Sequence, residues 1–375
     1  MAEADYIAAL TADLEQALPL VWGRRVYSIF FGGGTPSLFS AHGIDEILAV
    51  VRARLPLAGD AEITLEANPG TAEAEKFKGF RAAGVNRLSL GILSFDARHL
   101  KALGRIHDDR EARRAIEIAA SNFDNVNLDI MYGLPEQSVD DALADVTTAI
   151  SCSPRHISAY HLTIEPNTYF HRYPPPLPDD DTTAAMQDAI EAALDAHGYE
   201  HYETSAFAKR RCNALDAGEE AIPPFTVHRS LFTAVCAHNL NYWTFGDYLG
   251  IGAGAHSKIS FPDRILRQMR YKQPGQYMES ARAGYAVQQE QQVGAHEVGF
   301  EFMMNALRLN DGFATSLFEE RAGVPLNAVL PELDEAERRG LIVRDHQRIA
   351  PTPLGRRFLN DLLQLFLTER QGRAP

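Results

Sequence analysis

Short β-branched runs alternate with longer stretches of helical periodicity through the first half of the chain. Val26–Phe31, Ile63–Ala67, Arg87–Ile92, Val126–Met131 and His156–Leu162 predict five strands, and Gly43–Arg54, Ala72–Ala83, Arg110–Ser121 and Val139–Ser151 carry the one-sided apolar spacing of helices. This order implies right-handed βαβ crossovers and a parallel sheet. The runs look nearly continuously apolar, the pattern of strands covered on both faces or closed into a barrel. A doubly wound sheet competes with a partial TIM-like barrel. Polar and Gly residues recur just past the strand ends, where barrel sites lie, and this favours the α/β partial barrel.

A helix is predicted at Asp5–Leu18, with Tyr6, Leu10, Leu14 and Leu18 on one face and Pro19 ending it. No strand precedes it, so the sheet is expected to begin at Val26 with its barrel-opening strand absent. An edge left open in this way favours edge-to-edge dimerisation. The Pro-rich stretch 174–181 leads into a helix at about Thr182–His197, with Asp residues placed to cap it. After Trp243, FGDYLGIGAGAH reads as a tight strand-and-turn segment. Residues 1–260 thus form the main body, with a non-periodic insertion near 210–235 that contains Pro223–Pro224; 261–295 read as a linker. In 296–375 helical runs surround the short pair LIVRD and QRIAPT, the element order of a winged helix.

Composition narrows the function classes. The chain has 375 residues, 45% of them hydrophobic, and 36 Lys+Arg against 50 Asp+Glu, a formal charge of −14. A disordered chain is excluded, and nucleic acid is not an expected partner. The C-terminal segment repeats the point, with ten Arg and no Lys from His296 onward against twelve acids. With no bilayer-length apolar stretch and no signal-like start, the protein is expected in the cytoplasm. Its three cysteines, Cys152, Cys212 and Cys236, match neither a disulfide framework nor a compact metal motif.

The chemically loaded residues follow strand ends. In FFGGGTPS, consecutive glycines with Gly33, Gly34 and Thr35 can bring backbone N–H groups against a ligand; a plain turn or a phosphate loop is equally compatible. Glu66 in ITLEANPG can hold ligand hydroxyls or an ammonium, although a surface or capping role is commoner. Arg105 in LGRIH can clamp a carboxylate, against the commoner helix-terminal role. Asp129 lies inside an apolar strand, where an unpartnered acid is costly, and this favours function. Thr163 and Glu165 follow the fifth strand. Together these residues converge on one barrel mouth. Separately, HNLNYW offers His238 beside two amides and two aromatic residues, a neutral imidazole suited to haem iron or to a structural role beside a core Trp; His256 carries the same ambiguity.

Taken in order, GGGTPS, LEANPG, RLSLGILSF, LGRIH, NLDIMYGLP, ISAYHLTIEPNT, PPPLPDDD, YETSAFAK, HNLNYW and FGDYLGIGAGAH resemble the HemN/HemW family of radical S-adenosylmethionine proteins, which is related to oxygen-independent coproporphyrinogen III oxidase. HNLNYW points to its haem-chaperone branch. The resemblance implies a six-stranded partial barrel holding a four-iron four-sulfur (4Fe-4S) cluster and S-adenosylmethionine at its mouth, capped by a C-terminal helical domain. Gly33, Gly34 and Thr35 would meet the methionine part and a second ligand. Glu66, Arg105, Asp129 and Thr163 would contact S-adenosylmethionine, and His238 would bind haem for transfer to a haem-accepting respiratory protein. Two departures matter. The family's C-x-x-x-C-x-x-C run is absent, so this chain is not expected to hold the cluster or to reduce S-adenosylmethionine, and no catalytic or metal-ligating residue is assigned. Leu93 stands where the family has Gln, which implies weak S-adenosylmethionine affinity. The function implied is haem binding and transfer; the alternative is a coproporphyrinogen oxidase-type enzyme that has lost its N-terminus.

Overall fold

The computed structural model describes residues 3–71, 74–166, 168–210 and 234–367. The expected insertion therefore lies almost entirely outside the described residues, as does Cys212. The first helix, α1 (Glu3–Val21), runs two residues past Pro19 instead of ending there. Ile7, Leu14, Ala17 and Val21 are buried along it, and this packing outweighs the one backbone hydrogen bond that a proline in the last turn removes. There follow β1 (Val26–Phe31), α2 (Ala41–Arg54), β2 (Leu57–Ala67), α3 (Ala74–Ala83), β3 (Arg87–Leu93), α4 (Ala97–Ala102), α5 (Asp109–Asn122), β4 (Asn125–Tyr132), α6 (Val139–Ser151) and β5 (His156–His161). A loop carrying α7 (Tyr169–Arg172) then leads to α8 (Asp180–Ala196), whose first turn is capped by the Asp179 side chain. The hairpin β6 (Tyr199–Glu203) and β7 (Ala206–Lys209) completes a sheet of order β1-β2-β3-β4-β5-β7-β6.

Five parallel strands thus curl into a half-barrel, and an antiparallel hairpin finishes one end. Among the described strands β1 pairs only with β2. The strands are not apolar on both faces, as their composition led us to expect. Ile63, Leu65, Leu88, Leu90, Val126, Leu128, Ile157 and Ala159 point to the convex side and form one core with Leu48, Phe77, Phe80, Ile116, Val146 and Ile190 of the surrounding helices. The intervening positions, among them Glu62, Glu66, Arg87, Ser89, Asn127, Asp129, His156 and Ser158, face the concave side. The crossover helices pack on the convex face, so side-chain character along the strands alternates with period two.

The next helix, α9 (Ala237–Trp243), packs against β1. The Gly-dense stretch after it is irregular, joined to the following strand by a single bridge between Tyr248 and Lys258, instead of forming a strand itself. It closes tightly enough that a Cβ on Gly250 would fall 2.0 Å from the His256 carbonyl oxygen. Residues 261–295 are built rather than a linker. β8 (His256–Ser260), β9 (Ile265–Arg270) and β10 (Val287–Gln292) form an antiparallel sheet, with α10 (Pro274–Arg282) laid on α1.

The C-terminal unit contains α11 (Val298–Ala306), β11 (Phe313–Ala314), α12 (Thr315–Ala322), α13 (Leu330–Arg338), β12 (Ile342–Arg344), β13 (Arg348–Pro351), α14 (Pro353–Arg357) and α15 (Leu359–Gln364). Phe302, Phe313 and Phe318 stack edge-to-face in its core. It meets the half-barrel through the β6–β7 hairpin, where the Thr204 N–H donates to the Arg308 carbonyl and the Asn310 N–H to the Tyr202 carbonyl. No described helix is long and apolar enough to cross a membrane.

Candidate functional site: the half-barrel mouth and the His238 helix

The exposed glycine loop follows β1, and Gly33 adopts φ +105°, a conformation that side chains resist. Glu66 ends the neighbouring strand beneath it. Burial, then the nearby Asp129 charge, push its carboxyl up to about 7, while the Gly33 N–H pulls the other way. Asn68 ties the loop to the guanidinium: its Nδ2 lies 3.5 Å from Thr35 Oγ1, and its Oδ1 accepts from Arg105 at 3.2 Å. Asp129 accepts from Ser89 Oγ at 2.9 Å and from Asn127 Nδ2 at 2.8 Å. The glycines, Thr35, both acids and Arg105 are therefore brought together. Thr163 is exposed beyond β5, at the same end of the sheet by topology alone. Asn68, which the sequence marks only as a turn residue, is the connector. Leu93 is nearly buried at the end of β3 and holds φ +66°.

The His238 helix docks on the concave side. Its imidazole stacks on Phe30, with centroids 4.3 Å apart and planes 14° from parallel, and meets Tyr242 edge-on at 4.8 Å. Burial, helped by the Arg87 charge, holds it down to about 4, so the ring is neutral at physiological pH. Among the described residues neither ring nitrogen has a hydrogen-bond partner. Trp243 lies under the Arg308 guanidinium of the C-terminal unit, 5.0 Å from its ring centroid. The second ambiguous histidine, His256, is exposed at the start of β8.

A four-iron cluster needs several thiolates within bonding distance of its irons. The described residues do not fit one. Cys152 packs with the helices on the convex side, whereas the buried Cys236 contacts Glu62 on the concave side, so the sheet separates them. Among the described residues no three His, Cys, Asp or Glu side chains are placed to hold a metal ion. S-Adenosylmethionine fits better: a half-buried carboxyl held near neutrality would regain its charge against an ammonium, beside glycine N–H groups and a guanidinium. Two surface depressions of about 450 and 320 Å³ lie elsewhere, against α8 and between α5 and α6.

Residues 8–148 match the radical SAM superfamily, and residues 294–358 match the HemN C-terminal domain. A protein of Escherichia coli (strain K12) named "Heme chaperone HemW" is 44% identical over 97% of this chain and 90% of its own length. The chain belongs to the HemW family. A Haemophilus influenzae protein of the same name is 43% identical over 98% of this chain and 91% of its own length. The HemW-family fold also agrees with the solved structure of Escherichia coli HemN, described as a coproporphyrinogen III oxidase and radical SAM enzyme. That structure superposes with a TM-score of 0.77 at 20% identity, over 98% of this chain and 83% of the other.

Proposed function

We propose that this protein binds haem through His238 and passes it to a haem-accepting protein, a respiratory enzyme being the class of acceptor, without itself performing catalysis. One observation carries the reading: a neutral imidazole, stacked on Phe30, keeps both ring nitrogens free of hydrogen bonds among the described residues. A neutral nitrogen with no competing donor is what an axial haem ligand requires. The relatives named heme chaperones support the same reading. An oxidase-type function draws its chemistry from a cluster that Cys152 and Cys236, on opposite sides of the sheet, do not hold together. At the mouth, Gly33, Gly34, Thr35, Glu66, Arg105 and Asp129, with Thr163 beside them, form a residual S-adenosylmethionine site. Leu93 supplies no amide there, so the affinity should be low.

Absorbance titration of the intact chain with hemin tests the haem reading. A saturable Soret shift is expected, with affinity falling at least about tenfold in His238→Ala. A shift that His238→Ala leaves unchanged, or no shift at all, overturns it.

A further inference from the structure

The His238 helix has no capping side chain of its own. Helix N-termini leave N–H groups that need partners, and here the concave face of the half-barrel supplies them. Glu62 accepts from the His238 N–H at 3.2 Å, and the Tyr202 hydroxyl accepts from the Cys236 N–H at 3.3 Å. From Tyr202 a chain of bonds runs inward: 2.9 Å to His156 Nε2, 2.6 Å from His156 Nδ1 to Asn127 Oδ1, and 2.8 Å from Asn127 Nδ2 to Asp129.

The direction of every bond follows from chemistry. The Asp129 carboxylate accepts, so the Asn127 amide nitrogen must face it and the amide oxygen must face His156. His156 therefore donates from Nδ1. Its ring is fully buried and neutral, which leaves Nε2 bare to accept the Tyr202 proton. The Tyr202 oxygen in turn accepts from Cys236 at the start of the helix. In this arrangement every donor along the chain meets an acceptor, and the Ser158 and Ser89 hydroxyls complete the Asn127 amide, at 3.1 Å from Oδ1 and 2.7 Å from Nδ2.

We infer that Tyr202 and His156 are positioning residues for the His238 helix, and that their hydrogen-bond chain couples this helix to Asp129 at the half-barrel mouth. This deepens the haem-binding reading and rests on it. Occupation of the acid end and the setting of the haem ligand share one polar chain through the concave face.

Two measurements test it. In the wild-type chain, ¹⁵N resonances should show His156 protonated at Nδ1 and bare at Nε2; protonation at Nε2 overturns the chain. Hemin titration should show Tyr202→Phe about tenfold weaker, because it leaves the Cys236 N–H and His156 Nε2 without partners. Asp129→Ala, at the far end, should also weaken haem binding, and the double variant should lose less than the product of the two effects. Unchanged affinity in Asp129→Ala, or independent effects in the double variant, overturns the coupling when both variants keep the wild-type circular dichroism spectrum. If the wild-type chain takes no haem, it is the functional reading that fails, and the His156 tautomer alone decides this inference.

Discussion

Glu66 shows how one residue ties the mouth's chemistry to folding. Its carboxyl is pushed up to about 7 from an ordinary value of 4.5, by burial first and then by Asp129. Between those values the folded state binds the proton that the unfolded state has released, so stability is full below about 4.5 and is lost as pH rises through about 7. Glu66→Gln removes this dependence. Thermal unfolding of the variant should coincide with wild type at pH 4 and exceed it by a few degrees at pH 8; a gap independent of pH would show that Glu66 is ionised in the ligand-free fold. Asp129 was legible in the sequence because an acid between Leu128 and Ile130 is costly in a buried strand. Glu62, Arg87, Asn127 and His156 face the same side but were not singled out. Their signal was period two: Glu62-Thr64-Glu66, Arg87-Ser89-Gly91, Asn127-Asp129 and His156-Ser158 each place polar or small residues at alternate positions inside runs that look apolar when averaged.

Among the elements, α1 is held to the β8–β10 sheet by a buried polar knot. Asp13 accepts from Arg270 Nε at 3.2 Å, from the Tyr277 hydroxyl at 2.9 Å and from the Gly252 N–H at 3.2 Å, with both ion-pair side chains about 1% exposed. Removing one partner strands the other charge away from water. Asp13→Ala should lower unfolding free energy in urea by about 3–5 kcal/mol, whereas Asp13→Leu with Arg270→Met should recover most of it. Equal losses in the two variants would contradict the account. The periodicity of α1 was visible, and so were the first five strands, to within a residue at each end except for β2, which begins at Leu57, six residues before the expected Ile63. The two strands beyond Phe261, β9 and β10, were not. β10 reads VQQEQQ, exposed over five of its six residues, and β9 mixes Arg and Gln among its apolar positions, so neither shows the apolar run by which strands are recognised. The β6–β7 hairpin was hidden likewise, since YEHYE has no aliphatic residue.

At the scale of the whole molecule, the apolar convex core and the polar concave face divide the chain's chemistry, and Cys152 and Cys236 fall on opposite sides of that division. Burial pushes the Cys236 thiol up to about 12 against Glu62, and the Cys152 thiol also rises on burial among the helices. Thiols in such surroundings resist the deprotonation that iron ligation needs. The sheet between them prevents both from reaching one cluster, and the third cysteine, Cys212, leaves at most two on either side. Anaerobic incubation of the intact chain with iron and sulfide should therefore give no stoichiometric four-iron absorbance after desalting. Haem binding should be the same before and after that treatment, because His238 and its supporting chain use no thiolate. A cluster of four irons per chain whose electron paramagnetic resonance responds to S-adenosylmethionine would show that other side chains complete a ligand set, and would return cluster chemistry to this polypeptide.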